Sequence, residues 1–217
     1  MDYLHVDSIS KSYNTKVILS NLFISCRTGD IIGLLGRNGS GKSTLLKIIF
    51  GIEKANFKFQ KVNDIIIQKQ CETSRWINYL PQDNFLPNNY KIKTLINIFC
   101  NQENIQDLHK NDFIKPFLNY KSQELSGGEK RIIEILIILN TKSKFVLLDE
   151  PFNGISPISI EAIKEMIQKK SKSKGIILTD HDYENVIDIS TNVKLLHNCS
   201  LFDIKNKEQL KKLGYII

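Results

Sequence analysis

Short apolar runs bounded by glycine, proline or polar residues recur along the chain. They alternate with longer stretches whose apolar positions lie three and four apart. The first pattern marks strands and the second helices. Segments 3–8, 22–26 and 31–35 read as strands, with turns at Tyr13-Asn14-Thr15 and Thr28-Gly29-Asp30. Segment 42–50 reads as a helix, with Leu45, Leu46, Ile48 and Ile49 apolar and Gly51 as a stop signal. Segment 57–67 alternates loosely and suggests strands, and 77–80 is a short strand closed by Pro81. From 92 to about 116 the pattern predicts short helices with polar breaks, and 126–139 predicts a strong helix. Segment 145–148 is continuously apolar, as expected of a strand buried on both faces. A helix over 157–170, a buried strand over 175–178 and a helix over 183–189 follow, and 193–196 can pair with 201–204 around Asn198. Strands alternating with helices in the second half imply a mainly parallel sheet.

Composition narrows the class. The chain has 217 residues, 41% hydrophobic and 24% charged, which suits one α/β domain and excludes a disordered chain, a collagen-like fibre or a disulfide framework. The greasiest stretch, 132–139, is broken by Glu134, and a spanning helix needs about 20 apolar residues. The start, Met1 to His5, has neither a basic cluster nor an apolar run, so no secretory signal is expected. Thirty basic against twenty-three acidic residues give +7. The excess is scattered, with mild clusters at 164–174 and 205–212 that read as a solvated lysine-rich face, so no nucleic-acid partner is expected. Cys26, Cys71, Cys100 and Cys199 are far apart and read as reduced, half-buried thiols in a cytoplasm.

The chemistry begins at Gly36-Arg37-Asn38-Gly39-Ser40-Gly41-Lys42-Ser43-Thr44, which follows one predicted strand and opens a helix. Glycines let the backbone approach an anion, and amides at a helix start point at it. Lys42 would reach the β- and γ-phosphates of a nucleotide, and the Ser43 hydroxyl would hold Mg²⁺. The apolar strand 145–148 ends in Asp149 and Glu150. Asp149 suits Mg²⁺, and Glu150, pointing elsewhere, could polarise an attacking water. Between them lies Leu125-Ser126-Gly127-Gly128-Glu129, where Ser126 and Glu129 form a capping box over a second helix start open to an anion.

The order of phosphate loop, Gln82, Leu-Ser-Gly-Gly-Glu, Asp149-Glu150 and His181 resembles the ATP-binding cassette (ABC) ATPases from Tyr3 to about Ile204. That resemblance implies an α/β phosphate-loop NTPase with a mainly parallel core sheet, an N-terminal antiparallel β subdomain and an inserted helical lobe at about 83–140, all in one domain, 1–217. It implies ATP and Mg²⁺ as cofactors. It implies Tyr13 as the ring stacked on adenine, and Gly36, Asn38, Gly39, Ser40, Gly41, Lys42, Ser43 and Thr44 as the phosphate cradle. Ser43, Gln82 and Asp149 become the metal residues, with Glu150, His181 and Lys42 catalytic. Ser126, Gly127 and Gly128 would face the nucleotide of a second, identical cassette. One segment departs from the pattern: Ser156 stands where the family usually has an aspartate, though Ser156-Pro157 still makes a sound helix start.

The implied function is the ATPase subunit of a transporter, at the inner face of the cell membrane, docked to a separate permease. Leu95, Ile96, Ile98, Phe99, Phe113, Ile114, Phe117 and Leu118 are the expected docking residues. The segment 131–135 and Thr179-Asp180-His181-Asp182 are similar to cassettes of lipopolysaccharide export and branched-chain amino-acid import. A soluble scaffold ATPase of the iron–sulfur assembly or cell-division type stays open on the same motifs. A translation or repair ATPase ranks below it, because the chain carries one set of motifs and no inserted zinc finger or coiled coil.

Overall fold

The apolar runs become the strands of two sheets, described for residues 1–216 in a computed structural model. The first sheet is antiparallel. Strands β1 (Tyr3–Tyr13), β2 (Lys16–Arg27), β4 (Phe57–Val62) and β5 (Ile65–Ile66) lie in the order β2-β1-β4-β5. β1 and β2 are longer than the hydrophobic pattern suggested. Ser8 and Asn21 take positive φ, and the pairing shifts register between Val6 and Ser12. Such bulges put adjacent residues on unexpected faces, which breaks the alternation a reader looks for.

The second sheet has the order β10-β9-β3-β8-β7-β6. Its strands are β3 (Ile31–Leu35), β6 (Ile77–Leu80), β7 (Phe145–Asp149), β8 (Gly175–Thr179), β9 (Asn192–His197) and β10 (Ser200–Ile204). All neighbours run parallel except the β9–β10 hairpin. β3, β7 and β8 are buried along their whole length, as continuous apolar strands must be when both faces are covered. The helices are α1 (Lys42–Phe50), α2 (Gln70–Trp76), α3 (Ile92–Phe99), α4 (Gln102–Lys110), α5 (Gly127–Leu139), α6 (Pro157–Ser171), α7 (Tyr183–Ile189) and α8 (Lys207–Lys212). α3 and α4 and two short 3₁₀ turns fill the stretch between β6 and α5.

One apolar cluster joins β1, β2, α1 and the near face of the parallel sheet. The other joins the opposite face to α3, α5, α6 and α7. The two sheets meet at Gly175. A Cβ there would stand 2.7 Å from Cys26 Sγ and from the Phe145 ring, and 2.8 Å from the Arg27 carbonyl.

Three expectations are corrected. Cys26 and Cys100 are buried, Cys71 is exposed and only Cys199 is half-buried, rather than all four half-buried. The 164–174 cluster is no uniform solvated face, because its first and last lysines are buried. Lys164 Nζ reaches Glu161 and Asp188, and Lys174 Nζ donates to the carbonyls of Thr141 (2.8 Å) and Ser143. Among the expected docking residues, Leu95, Ile96 and Ile114 are core, whereas Ile98 and Phe99 face outward.

Candidate nucleotide-binding site

The parallel order β3-β8-β7-β6 sets four loops side by side at the carboxyl ends of adjacent strands, where ligands of open α/β sheets bind. β3 leads into the glycine loop, β8 into Asp180-His181, β7 into Glu150 and β6 into Pro81-Gln82. Gly39 and Gly41 take φ of +77° and +108°. Gly41 has a second reason to lack a side chain: a Cβ would lie 2.8 Å from Ile18 Cγ2 on β2. α1 starts at Lys42 with no side-chain cap, so its first amides are free to meet an anion.

A cleft of about 410 Å³ is lined by Tyr13, Asn38, Gly39, Gly41, Lys42, Ser43, Thr44, Gln82, Glu150 and His181. Ten residues that sequence reasoning scattered over five segments thus share one cavity. Gly36 sits at its base, where its carbonyl accepts from Lys42 Nζ at 2.7 Å. Ser40 lines an adjoining hollow with Arg37 and His197. Tyr13 is half-exposed at the rim, with Lys11 Nζ 4.5 Å from its ring centroid.

The two carboxylates at the end of β7 have different partners. Asp149, fully buried, accepts from Ser43 Oγ (3.0 Å) and from the Tyr79 hydroxyl (2.8 Å). Glu150 has φ +52°, which swings its side chain away from Asp149. One oxygen accepts from Gln82 Nε2 at 2.7 Å and the other lies 2.8 Å from His181 Nε2. Burial lowers the Lys42 pKa, while Glu150, Asp149 and Asp180 push it back up. Burial raises Asp180, against the amides of Phe152, Asp182 and His181. The cleft therefore offers a cation and amides at one end, a buried hydroxyl–carboxylate pair in the middle, and a second carboxylate braced for a different task.

The ABC transporter family model matches residues 19–153, more than half of the chain. The chain belongs to the ABC transporter family. It is an ATP-binding subunit of that family. It is 31% identical over 213 residues to the lipopolysaccharide export ATP-binding protein LptB of Acidithiobacillus ferridurans, covering 91% of this chain and 87% of that one. The corresponding LptB of Haemophilus influenzae is 27% identical over 98% of this chain and 97% of that one. A solved ATP-binding subunit of an ABC transporter superposes with a TM-score of 0.84 at 20% identity, covering 98% and 93% of the two chains. A nucleotide-free cassette gives 0.80 at 22% identity, covering 100% and 96%. These likenesses establish the cassette fold with its antiparallel N-terminal sheet.

Within this cassette Ser126, Gly127 and Gly128 do not line the cleft. Ser126 caps α5 reciprocally with Glu129: Glu129 N–H donates to Ser126 Oγ, and Ser126 N–H donates to Glu129 Oε2 at 2.8 Å. Gly127 is open, whereas a Cβ on Gly128 would lie 2.7 Å from the Gly154 carbonyl. Ser156 does cap α6, with Pro157 at its first position.

Sequence reasoning assigned no role to Tyr79, Arg131 or Glu134. Arg131 donates to the carbonyls of Pro81 (2.7 Å), Asp149 (2.7 Å) and Glu150 (2.9 Å), and lies 3.5 Å from Glu134. Glu134 accepts from the amides of Phe85 and Leu86. Burial pushes Glu134 up and Arg131 down, the cost of placing both in the core. The available signal was two opposite charges three apart inside a run of isoleucines.

Proposed function

We propose that the chain is the ATP-hydrolysing subunit of a transporter whose permease is a separate polypeptide. In this reading residues 1–217 form one cassette, with a helical lobe at 83–140, and ATP closes two identical copies face to face. The observation that carries it is the bracing of Glu150 by both Gln82 and His181, one residue beyond an Asp149 held by Ser43 and Tyr79. Glu150 orients water for in-line attack, and His181 steadies it against the γ-phosphate. Lys42 and the amides of Gly39 to Thr44 stabilise the charge that develops on the phosphates. Tyr13 stacks on the base, and Asn38 and Ser40 complete the loop. Ser126, Gly127 and Gly128 lie outside their own cleft, as expected of groups that meet the nucleotide of the other copy.

A hydroxyl and a buried carboxylate 3.0 Å apart, with Gln82 beside Glu150, form an all-oxygen donor set that fits Mg²⁺. When bound, the ion would neutralise charge on the β- and γ-oxygens. Ile98 and Phe99 at the end of α3 border a groove of about 730 Å³ that also includes Phe85 and Arg75, which suits a short helix of the permease. Among the described residues no helix is long and apolar enough to cross a membrane. The place proposed, from the permease reading and that groove, is the cytoplasmic face of the membrane.

Glu150→Gln tests the reading. Hydrolysis falls by at least about a hundredfold. Nucleotide affinity stays close to the parent's, and ATP converts the variant into a stable dimer on size exclusion. Hydrolysis at the parent rate would remove Glu150 from its role.

A further inference from the structure

The braced carboxylate of the cleft hangs from a strained piece of backbone. Glu150 takes φ +52°, in the left-handed region, one residue past the end of β7. A residue with a Cβ keeps that conformation only where its surroundings fix it. Its own amide donates to Thr179 O, at the end of β8, at 2.8 Å. The carbonyls on either side of its Cα, those of Asp149 and Glu150, accept from one atom, Arg131 Nη2, at 2.7 and 2.9 Å. Nη1 of the same guanidinium donates to the Pro81 carbonyl at 2.7 Å, in the peptide that leads into Gln82. Gln82 Nε2 in turn donates to Glu150 Oε2 at 2.7 Å. One planar fork therefore holds both peptides flanking Glu150 and the peptide before the side chain that braces it.

The fork faces these carbonyls and turns away from its counter-ion. Arg131 and Glu134 are 3% and 0% exposed, and Arg131 Nη1 lies 3.5 Å from a Glu134 oxygen, Oε2. Among the described residues neither that oxygen nor Arg131 Nε has a hydrogen-bond partner. Glu134 Oε1 accepts instead from the amides of Phe85 and Leu86. An arginine whose task was to neutralise a buried carboxylate would set paired donors on its two oxygens, which is the stronger geometry. Leaving buried polar atoms unpaired is unfavourable. The direction of the fork is therefore explained by the backbone it holds, and charge neutralisation alone would not produce it.

We propose that Arg131 is a positioning residue for the hydrolytic step: its guanidinium fixes the left-handed turn at Glu150 and the approach to Gln82, and so aims the Glu150 carboxylate at the attacking water. The proposal rests on the reading of Glu150 as the group that orients that water. Arg131 does not line the cleft, so nucleotide binding does not depend on it directly. Arg131→Lys keeps a charge beside Glu134 but has no planar fork to span three carbonyls. The double variant Arg131→Gln/Glu134→Gln removes the fork together with both buried charges, so no unpaired ion is left in the core. Glu134→Gln alone disturbs the same place and leaves the fork on its carbonyls.

The full chain and these variants are assayed for ATP hydrolysis with Mg²⁺, for affinity toward a non-hydrolysable ATP analogue and for thermal unfolding, with kcat expressed per nucleotide bound. Arg131→Lys and the double variant are expected to lower kcat about ten- to a hundredfold, with Kd within about threefold of the parent. Glu134→Gln lowers Tm and keeps kcat within about twofold. In a Glu150→Gln background, Arg131→Lys lowers the residual hydrolysis by less than about twofold, because the carboxylate it aims is gone. Parent-like kcat in Arg131→Lys or in the double variant overturns the proposal. A kcat that follows Tm in every variant, Glu134→Gln included, overturns it too, as does an equal fold-loss in both backgrounds. A Glu150→Gln that hydrolyses at the parent rate would bring down the reading of Glu150 and this proposal together. A slow Glu150→Gln beside a parent-like Arg131→Lys would bring down this proposal alone.

Discussion

Two buried polar side chains outside the expected set sit at opposite ends of the parallel sheet, Tyr79 beside the cleft carboxylate and Lys174 at the amino ends of β7 and β8. The Tyr79 hydroxyl occupies one oxygen of a fully buried carboxylate and leaves the other to Ser43. Tyr79→Phe strands that oxygen and is expected to cost about 1–3 kcal/mol in denaturant unfolding. Mg²⁺-dependent ATP affinity should fall with it, read by titration with and without the ion. Lys174 gives a pH signature. Burial, reinforced by Lys170 and Lys144, pushes its ammonium down to about 8. In the unfolded chain a lysine titrates near about 10.4. Between those pH values the folded chain binds fewer protons than the unfolded one, so this group makes stability rise with pH. Lys174→Met has no such rise. Between about pH 7.5 and about pH 10 the parent therefore gains on the variant by up to about 2 kcal/mol, measured by paired denaturant melts. Neither role could be read from the chain. Tyr79 looks like any strand residue, and Lys174 looks like the solvated end of a lysine-rich helix.

At the level of elements, legibility followed how many local signals agreed. α1 was predicted to the residue, because a glycine loop precedes it, apolar positions recur at helical spacing, and Gly51 stops it in a left-handed turn at φ +96°. α7 was equally legible, with Asp182 as its cap. α2 was not predicted: of Gln70–Trp76 only Thr73 is buried, so no apolar stripe announces it. The motif residues of the cleft were legible because a phosphate loop and a strand-end carboxylate pair each carry their chemistry in sequence. The clamp between α5 and the strand ends was not, since Arg131 acts on backbone carbonyls that any residue supplies. Arg131→Met leaves Glu134 as an uncompensated buried charge and is expected to cost about 3–5 kcal/mol. Adding Glu134→Gln should return part of that loss, a coupling that a double-mutant cycle in denaturant measures. Gly128→Ala forces the start of α5 off the Gly154 carbonyl. Hydrolysis should drop by at least about tenfold while the single cassette still binds ATP at parent affinity, since nucleotide and α5 start belong to different clefts in the proposed dimer.

Over the whole molecule, the antiparallel and the mainly parallel sheet meet at Gly175 with no room for a methyl group. Gly175→Ala places a Cβ among Cys26, Phe145 and the Arg27 carbonyl, at an expected cost of about 1–3 kcal/mol. The melt should stay a single transition, since the seam joins both apolar clusters; two separate transitions would show that the sheets unfold independently. Gly41 closes the same seam at its other end, under Ile18 and Leu19 of the hairpin that ends in Tyr13. Ring and ammonium are thereby mounted on a common frame, like the jaws of a fixed calliper. In the proposed site such a gauge would sense a flat face and a span but read no letters, so guanosine and adenosine triphosphates should compete for it on nearly equal terms.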